Sequence, residues 1–173
     1  KDDLDGNLSR IPFNPMVNAG AIMTAGLIGP EESHSQRLRY IRQQFGRLIG
    51  WSPKDNFGAE LPRFNKNMAR QENFTGYNNI AMGYLLMATG NLPHNKTELH
   101  NDIHPDEDEF DFYTEPAVTE ALKLYFSICS LEMTSVEFAT AAATLANSGV
   151  CPITQDRVLS QKTVRNCLPV LQT

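Results

Sequence analysis

The sequence predicts a mainly α-helical fold. Apolar residues recur every three or four positions in several segments, and helix start and stop signals bracket those segments. The chain contains no internal repeat and no series of alternating strands, so few strands are expected. Its 173 residues fit one domain, residues 1–173, which is large enough to bury a hydrophobic core.

In the first half of the chain, a helix is predicted to begin near Asn18. The next predicted helix is amphipathic and ends at Gly50. Residues 51–63 are rich in Pro, Gly, Asp and Asn and predict a loop, and residues 77–88 predict a helix stopped by Gly90. The apolar positions of the amphipathic helix are Leu38, Ile41, Phe45 and Leu48.

In the second half, Thr114-Glu-Pro116 has a cap, a first-turn acid and an early proline, which predict a helix start. Thr134 and Glu137 have the spacing of a capping box, and the helix that follows is expected to end at residues 147–149. Ser160 is expected to cap a last helix. The apolar positions of these helices include Val118, Ala121, Leu122, Tyr125 and Ile128 in the first, and Val164, Leu168 and Leu171 in the last.

Composition argues against several classes of protein. The formal net charge is -5, and the basic residues do not form a stripe, so we expect no nucleic-acid partner. No apolar run approaches the roughly 20 residues that span a bilayer, so we expect a soluble chain without a membrane partner. Cys129, Cys151 and Cys167 are odd in number and widely spaced, which favours reduced thiols in the core.

The acidic stretch at about 92–112 contains His94, His100 and His104 among seven carboxylates. Imidazoles and carboxylates are metal ligands, so a metal site is one interpretation. The stretch lacks the Gly and terminal Glu of a calcium loop and the tight His spacing of a helical zinc site. We therefore predict a solvated acidic loop and no metal or other cofactor.

The segment Asn14-Pro-Met-Val-Asn-Ala-Gly-Ala-Ile22 combines two amides, a proline and a glycine with apolar residues. Asn14 and Pro15 are expected to break the backbone. Asn18 would be a polar group in apolar surroundings and should have a definite hydrogen-bond partner. The alternative is that Asn18 caps the helix that begins here.

The sequence contains no Gly-x-Ser-x-Gly, Walker A, Gly-x-Gly-x-x-Gly or Ser-x-x-Lys motif. What it does contain is a set of polar groups suited to an amino acid: a carboxylate for the ammonium, and amides and a phenol for the carboxylate. These are Glu72, Asn18, Asn79 and Tyr125. Taken singly, Glu72 is better explained as a surface charge, Asn79 as a helix cap and Tyr125 as a core aromatic.

Taken together, these residues lie in segments that resemble the catalytic domain of animal-type, serine-dependent glutaminases. The segment at 14–22 resembles the family's signature, and residues 71–84 resemble its substrate-binding stretch. Further similar segments follow in the family's order at residues 125–132, 142–147, 151–154 and 157–160. The resemblance implies the helical subdomain of the β-lactamase and penicillin-binding-protein type of fold, truncated at both ends.

The resemblance also implies a function. Asn18, Glu72, Asn79 and Tyr125 would contact L-glutamine, with Glu72 pairing with the α-amino group. Glutamine would be hydrolysed to glutamate and ammonia through a serine acyl-enzyme. It further implies a homo-oligomer and a mitochondrial location, with a cytoplasmic location as the alternative.

The family's catalytic Ser and Lys lie in a Ser-x-x-Lys motif upstream of the signature, and a catalytic Tyr lies further downstream. None of these three is expected in this chain, so we expect an excerpt that is inactive alone. The alternative is a non-catalytic paralogue that binds an amino acid or a full-length glutaminase subunit. A related serine amidase or β-lactam-reactive protein is disfavoured, because Lys-Thr-Gly and Ser-Asp-Asn motifs are missing.

Overall fold

The computed structural model describes residues 14–52, 60–92 and 116–172. Within these ranges the chain forms seven helices and one two-stranded antiparallel ladder, so the prediction of a mainly α-helical fold is confirmed. The elements in chain order are α1 Asn18–Leu27, α2 His34–Leu48, β1 Arg63–Phe64, α3 Lys66–Thr75, α4 Tyr77–Ala88, α5 Pro116–Cys129, β2 Leu131–Glu132, α6 Ser135–Ala146 and α7 Gln161–Leu171.

Several helix ends form as the local sequence predicts. Before α6, the Thr134 hydroxyl accepts a hydrogen bond from the Glu137 backbone, and the Glu137 carboxylate accepts one from the Thr134 backbone, which completes the capping box. Ser160 caps α7 by accepting from the Thr163 amide at 3.0 Å. Gly50 and Gly90 follow α2 and α4 with φ of 99° and 74°, values that favour glycine.

Helix α5 is the centre of the described fold, since α1, α2, α3 and α4 all pack against it. Its Leu124 and Phe126 are fully buried. One cluster of buried residues joins α1, α4 and α5, and a second joins α1, α2 and α5. Tyr125 packs against both clusters, so its ring connects the two halves of the core.

Two elements were not predicted. Helix α3 begins after Asn65, whose side chain accepts from the Met68 amide at 3.1 Å. The short ladder pairs Arg63 with Glu132, and the Arg63 guanidinium lies 2.9 Å from the Glu132 carboxylate. Such long-range pairing depends on the packing of α3 against α5 and leaves no signal in local periodicity.

Some burial predictions are wrong. Cys151 is buried as expected, but Cys129 and Cys167 are exposed, and all three thiols are free. Of the three apolar positions of the last helix, Val164 is buried, and Leu168 and Leu171 are exposed. The acidic stretch beyond Leu92 and the predicted cap at Thr114 lie outside the described residues. No helix in the described ranges is long and apolar enough to cross a membrane.

Candidate functional site

A tight turn precedes α1 and fixes where that helix begins. The buried Asn14 side chain accepts a hydrogen bond from the Met16 amide at 2.8 Å, as an Asx turn does. The backbone then folds back onto α1 so closely that a Cβ atom on Gly20 would lie 2.0 Å from the Asn14 carbonyl oxygen. The Asn-Pro pair forms the turn, and the glycine leaves room for it, so both are needed. The turn places Asn18 at the first position of α1.

Asn18 makes a tertiary hydrogen bond. The helix cap position is Val17, with no side-chain cap, so the interpretation of Asn18 as a cap is wrong. The expected burial is also wrong, because Asn18 is exposed. The expectation of a definite partner is confirmed: the Asn18 Nδ2 atom donates to the Asn79 Oδ1 atom of α4 at 2.9 Å. This bond joins the starts of α1 and α4.

Glu72 and Asn79 lie on either side of the corner between α3 and α4. Gly76 makes this corner, where a Cβ atom would lie 2.7 Å from both the Glu72 carbonyl oxygen and the Phe126 ring of α5. The corner therefore packs directly on α5. Glu72 is in the last turns of α3 and exposed, and Asn79 is in the first turn of α4 and half-buried. Asn79 is not a helix cap, since Gly76 holds that position.

The pKa of the Tyr125 phenol is raised, and the Glu72 carboxylate contributes to this shift. Burial raises the pKa of the Tyr125 phenol to about 12, with further contributions from Cys129 and from the Glu72 carboxylate. Tyr125 and Cys129 are four residues apart on α5, so their side chains lie on the same face of the helix. The pKa of the Cys129 thiol is also raised, first by burial of the sulfur and then by Glu72. At neutral pH the phenol is a neutral hydrogen-bond donor.

A cleft of about 410 Å³ lies between α1, α2 and α5, next to these residues. Pro15, Ala21 and Thr24 line it from the first segment, and Tyr125 and Cys129 line it from α5. Its wall is mostly apolar, which is typical of small-molecule sites that have a few polar groups at their edge. The α1 segment and Tyr125 thus face a shared space.

The structure brings two of the four predicted residues into contact, since Asn18 and Asn79 are directly hydrogen-bonded. Glu72 makes no contact with Tyr125 among those described, and its charge is the smallest contribution to the raised pKa of Tyr125. No described cation forms an ion pair with Glu72, so its charge is available to an incoming ammonium group.

Sequence reasoning missed Cys129 as a neighbour of Tyr125. The signal that could have found it is the spacing of four residues, which places two side chains on the same helix face. The described residues also hold no group of three His, Cys, Asp or Glu side chains able to bind a metal. The three histidines of the acidic stretch lie outside them.

Comparison with known proteins identifies relatives along the whole chain. The glutaminase family model matches residues 3–105 and 107–173. The rat protein named "Glutaminase liver isoform, mitochondrial" is 32% identical over 167 residues, which cover 96% of this chain and 23% of the rat protein. A glutaminase of Clostridium botulinum is 29% identical over 171 residues, covering 99% of this chain and 46% of that protein. The chain therefore spans less than half the length of these relatives.

The solved structures whose fold is similar to this chain are also glutaminases. A probable glutaminase from Bacillus subtilis, complexed with 6-diazo-5-oxo-L-norleucine, superposes with a TM-score of 0.70 at 26% identity. The superposition covers 94% of this chain and 45% of the Bacillus chain. Glutaminases of this kind have the β-lactamase-like fold, and this mainly helical chain matches part of it, as the resemblance predicted.

Proposed function

The chain belongs to the glutaminase family, and we propose that it holds the substrate-binding part of an amidohydrolase that converts L-glutamine to L-glutamate and ammonia. The observation that carries this proposal is the tertiary hydrogen bond between Asn18 and Asn79, which joins α1 to α4. The Glu72 carboxylate, which no described cation pairs with, contributes to the raised pKa of Tyr125 on α5.

Glu72 is the proposed partner of the α-amino group of glutamine. It is the one carboxylate of the four residues, and no described cation neutralises it. A charge-assisted hydrogen bond to an ammonium group is roughly twice as strong as a neutral one. This contact would give the site its preference for a free amino acid over a simple amide.

Tyr125 and the two asparagines are the proposed contacts to the carboxylate and the side chain of glutamine. The raised pKa keeps the Tyr125 hydroxyl protonated, so it can donate to a carboxylate oxygen. The Asn18–Asn79 bond uses one donor of Asn18 and one acceptor of Asn79, which leaves the Asn79 Nδ2 group free to donate. The bond therefore orients an amide donor toward the substrate.

The proposed reaction follows the serine-dependent chemistry that the resemblance implies. A serine hydroxyl attacks the side-chain amide carbonyl, ammonia leaves, and water hydrolyses the acyl-enzyme to release glutamate. This chain contains no Ser-x-x-Lys motif. We therefore expect residues 1–173 alone to bind glutamine without hydrolysing it.

Two measurements test this function. Isothermal titration calorimetry with this chain should detect binding of L-glutamine and much weaker binding of propionamide, which lacks the ammonium and carboxylate. A chimera in which the chain replaces the matching segment of the Clostridium botulinum glutaminase should release ammonia from glutamine. A folded chimera without activity, together with no glutamine binding by the chain, would exclude the proposal.

A second candidate function is that of a non-catalytic paralogue that binds an amino acid or a full-length glutaminase subunit. The two candidates differ in the chimera. Glutamine binding by the chain combined with an inactive, folded chimera supports the paralogue, whereas ammonia release supports the enzyme.

Mitochondrial location and homo-oligomerisation are part of the same proposal. The names of the rat and mouse relatives include the word mitochondrial, whereas the Clostridium relatives are bacterial. Cell fractionation of the source organism would test the location, with a cytoplasmic signal favouring the alternative. Light scattering of the purified protein would test the assembly.

A further inference from the structure

A second cleft, of about 470 Å³, lies on a different side of α3 and α5 from the candidate glutamine site. None of the four proposed glutamine contacts lines it. Three helices each contribute residues at helical spacing, so each presents one continuous face to this space. The floor and wall are apolar and include Ala69, Ile80, Leu122 and Phe126.

Three cations stand at this cleft, which we call the cationic cleft: Lys66 and Arg70 on α3, and Lys123 on α5. Lys66 and Arg70 are four residues apart and therefore share a helix face. No acidic residue is among the described residues that line the cleft. In a chain of net charge -5, this is a local concentration of positive charge.

The charges of Lys66 and Arg70 are not used elsewhere in the described structure. Neither forms an ion pair with a described carboxylate. The Lys123 Nζ atom, by contrast, lies 3.5 Å from the Glu120 Oε1 atom in an exposed ion pair. Exposed pairs of this kind are weak. Lys66 and Arg70 would therefore supply most of the attraction for an anion.

We propose that the cationic cleft binds a small organic anion with an apolar body, such as a medium-chain carboxylate. The head group would lie between Lys66 and Arg70, and the apolar chain would cover Ala69, Ile80 and Tyr84, three half-buried residues of the lining. A cleft of this volume falls within the range of ordinary small-molecule sites. Burial of the chain supplies affinity, and the cations fix the orientation of the ligand.

Ligand binding in the cationic cleft does not depend on glutaminase activity. Arg70 and Glu72 are two residues apart, so their side chains leave α3 in widely separated directions. Arg70 faces the cationic cleft, and Glu72 acts on Tyr125. The two sites can therefore be tested separately.

The test uses decanoate as the probe, with decanol and acetate as controls, in isothermal titration calorimetry with the whole chain. Decanoate should bind, decanol should bind at least threefold more weakly, and acetate should bind more weakly still. Lys66→Gln together with Arg70→Gln should weaken decanoate binding about tenfold, since two exposed charge contacts are lost. Ala69→Phe, which fills the floor, should abolish binding.

Arg39→Gln is the matched control, because it removes one exposed positive charge from α2, away from the cleft. It should leave decanoate binding unchanged. The proposal is overturned if decanoate does not bind, if decanol binds equally well, or if Arg39→Gln weakens binding as much as the double substitution. Lys66 and Arg70 are exposed, so the double variant tests the proposal even if Ala69→Phe does not fold.

Discussion

The side chains of Asn18 and Asn79 are hydrogen-bonded at 2.9 Å, although 61 residues separate them in the sequence. The bond joins the first residue of α1 to the first turn of α4. It thus connects the segment at residues 14–22, which resembles the family's signature, to the segment at residues 71–84, which resembles its substrate-binding stretch. In the proposed site, the two amides act as one unit.

A double-mutant cycle tests this unit. Asn18→Ala and Asn79→Ala should each weaken glutamine binding by about twofold to tenfold, the range for one lost hydrogen bond. The double variant should lose less than the product of the two effects, because each single variant already removes the shared bond. Asn78→Ala, on the exposed side of α4, is the control and should bind normally. Fully multiplicative effects would contradict the coupling.

Removal of the Glu72 charge should weaken glutamine binding more than removal of the Tyr125 hydroxyl. Glu72→Gln eliminates the charge-assisted partner of the ammonium and should cost about tenfold in affinity, against about threefold for Tyr125→Phe. Titration calorimetry of both variants gives the comparison, with Glu31→Gln as an exposed charge control. Unchanged affinity in Glu72→Gln would argue against the pocket assignment.

Gly20→Ala should destabilise the fold by about 3 kcal/mol or more, since the new methyl group overlaps the Asn14 backbone and a backbone cannot move aside easily. Gly90→Ala is the comparison: its φ is 74°, but no atom of residues 14–52, 60–92 or 116–172 lies within 4 Å of the added atom. Strain alone should cost about 1 kcal/mol there. Urea denaturation measures both, and equal losses would show that the turn does not require Gly20.

Arg37 holds the end of α1 and should be essential for stability. Its guanidinium is buried and donates to the carbonyl oxygens of Ala25 and Ile28, each at 2.7 Å. Arg37→Met would leave both carbonyls without these donors and should cost about 2 to 4 kcal/mol. Arg39→Gln, exposed on the same helix, should change the melting temperature little. Similar melting temperatures for the two variants would contradict this assignment.

His34 should make stability fall at acidic pH. The Ser127 hydroxyl donates to the Lys123 carbonyl oxygen, so it accepts from His34 Nε2 at 3.3 Å, and Nδ1 remains without a partner among the described residues. Burial first, and then Lys123 and Arg37, lower the pKa of His34, while Glu120 opposes them.

Because the pKa of His34 in the folded chain lies below the ordinary histidine value of 6.5, the unfolded chain binds the proton more readily. The stabilisation is complete above that value and is lost as pH falls through it toward the folded pKa. Urea denaturation between pH 7.5 and 5 should show wild-type stability falling relative to His34→Gln. A constant difference across this range would contradict the prediction.

Much of the fold could be predicted from local sequence signals, because helix caps and helix-periodic contacts join residues within about one helical turn. The helix at residues 77–88 has the bounds that the sequence predicted, and Thr134 with Glu137 forms the capping box that their spacing implied. Helix α3 was missed because most of its residues are polar, and none of them is buried. Glu72 thus belongs to an element whose place is set by packing against α5.

The sequence by itself determined the helical class, several helix ends and the segments that resemble glutaminases, since these depend on propensity, capping and residue order. Tertiary structure decided which side chains meet. The sequence was compatible with Asn18 as a helix cap. In the folded chain, α4 instead places the Asn79 Oδ1 atom 2.9 Å from the Asn18 Nδ2 atom. Likewise, only the packing of α3 on α5 places the Glu72 charge near Tyr125 and separates that site from the cationic cleft. Contacts between distant residues depend on the three-dimensional arrangement of the helices, and that arrangement leaves no local pattern in the chain.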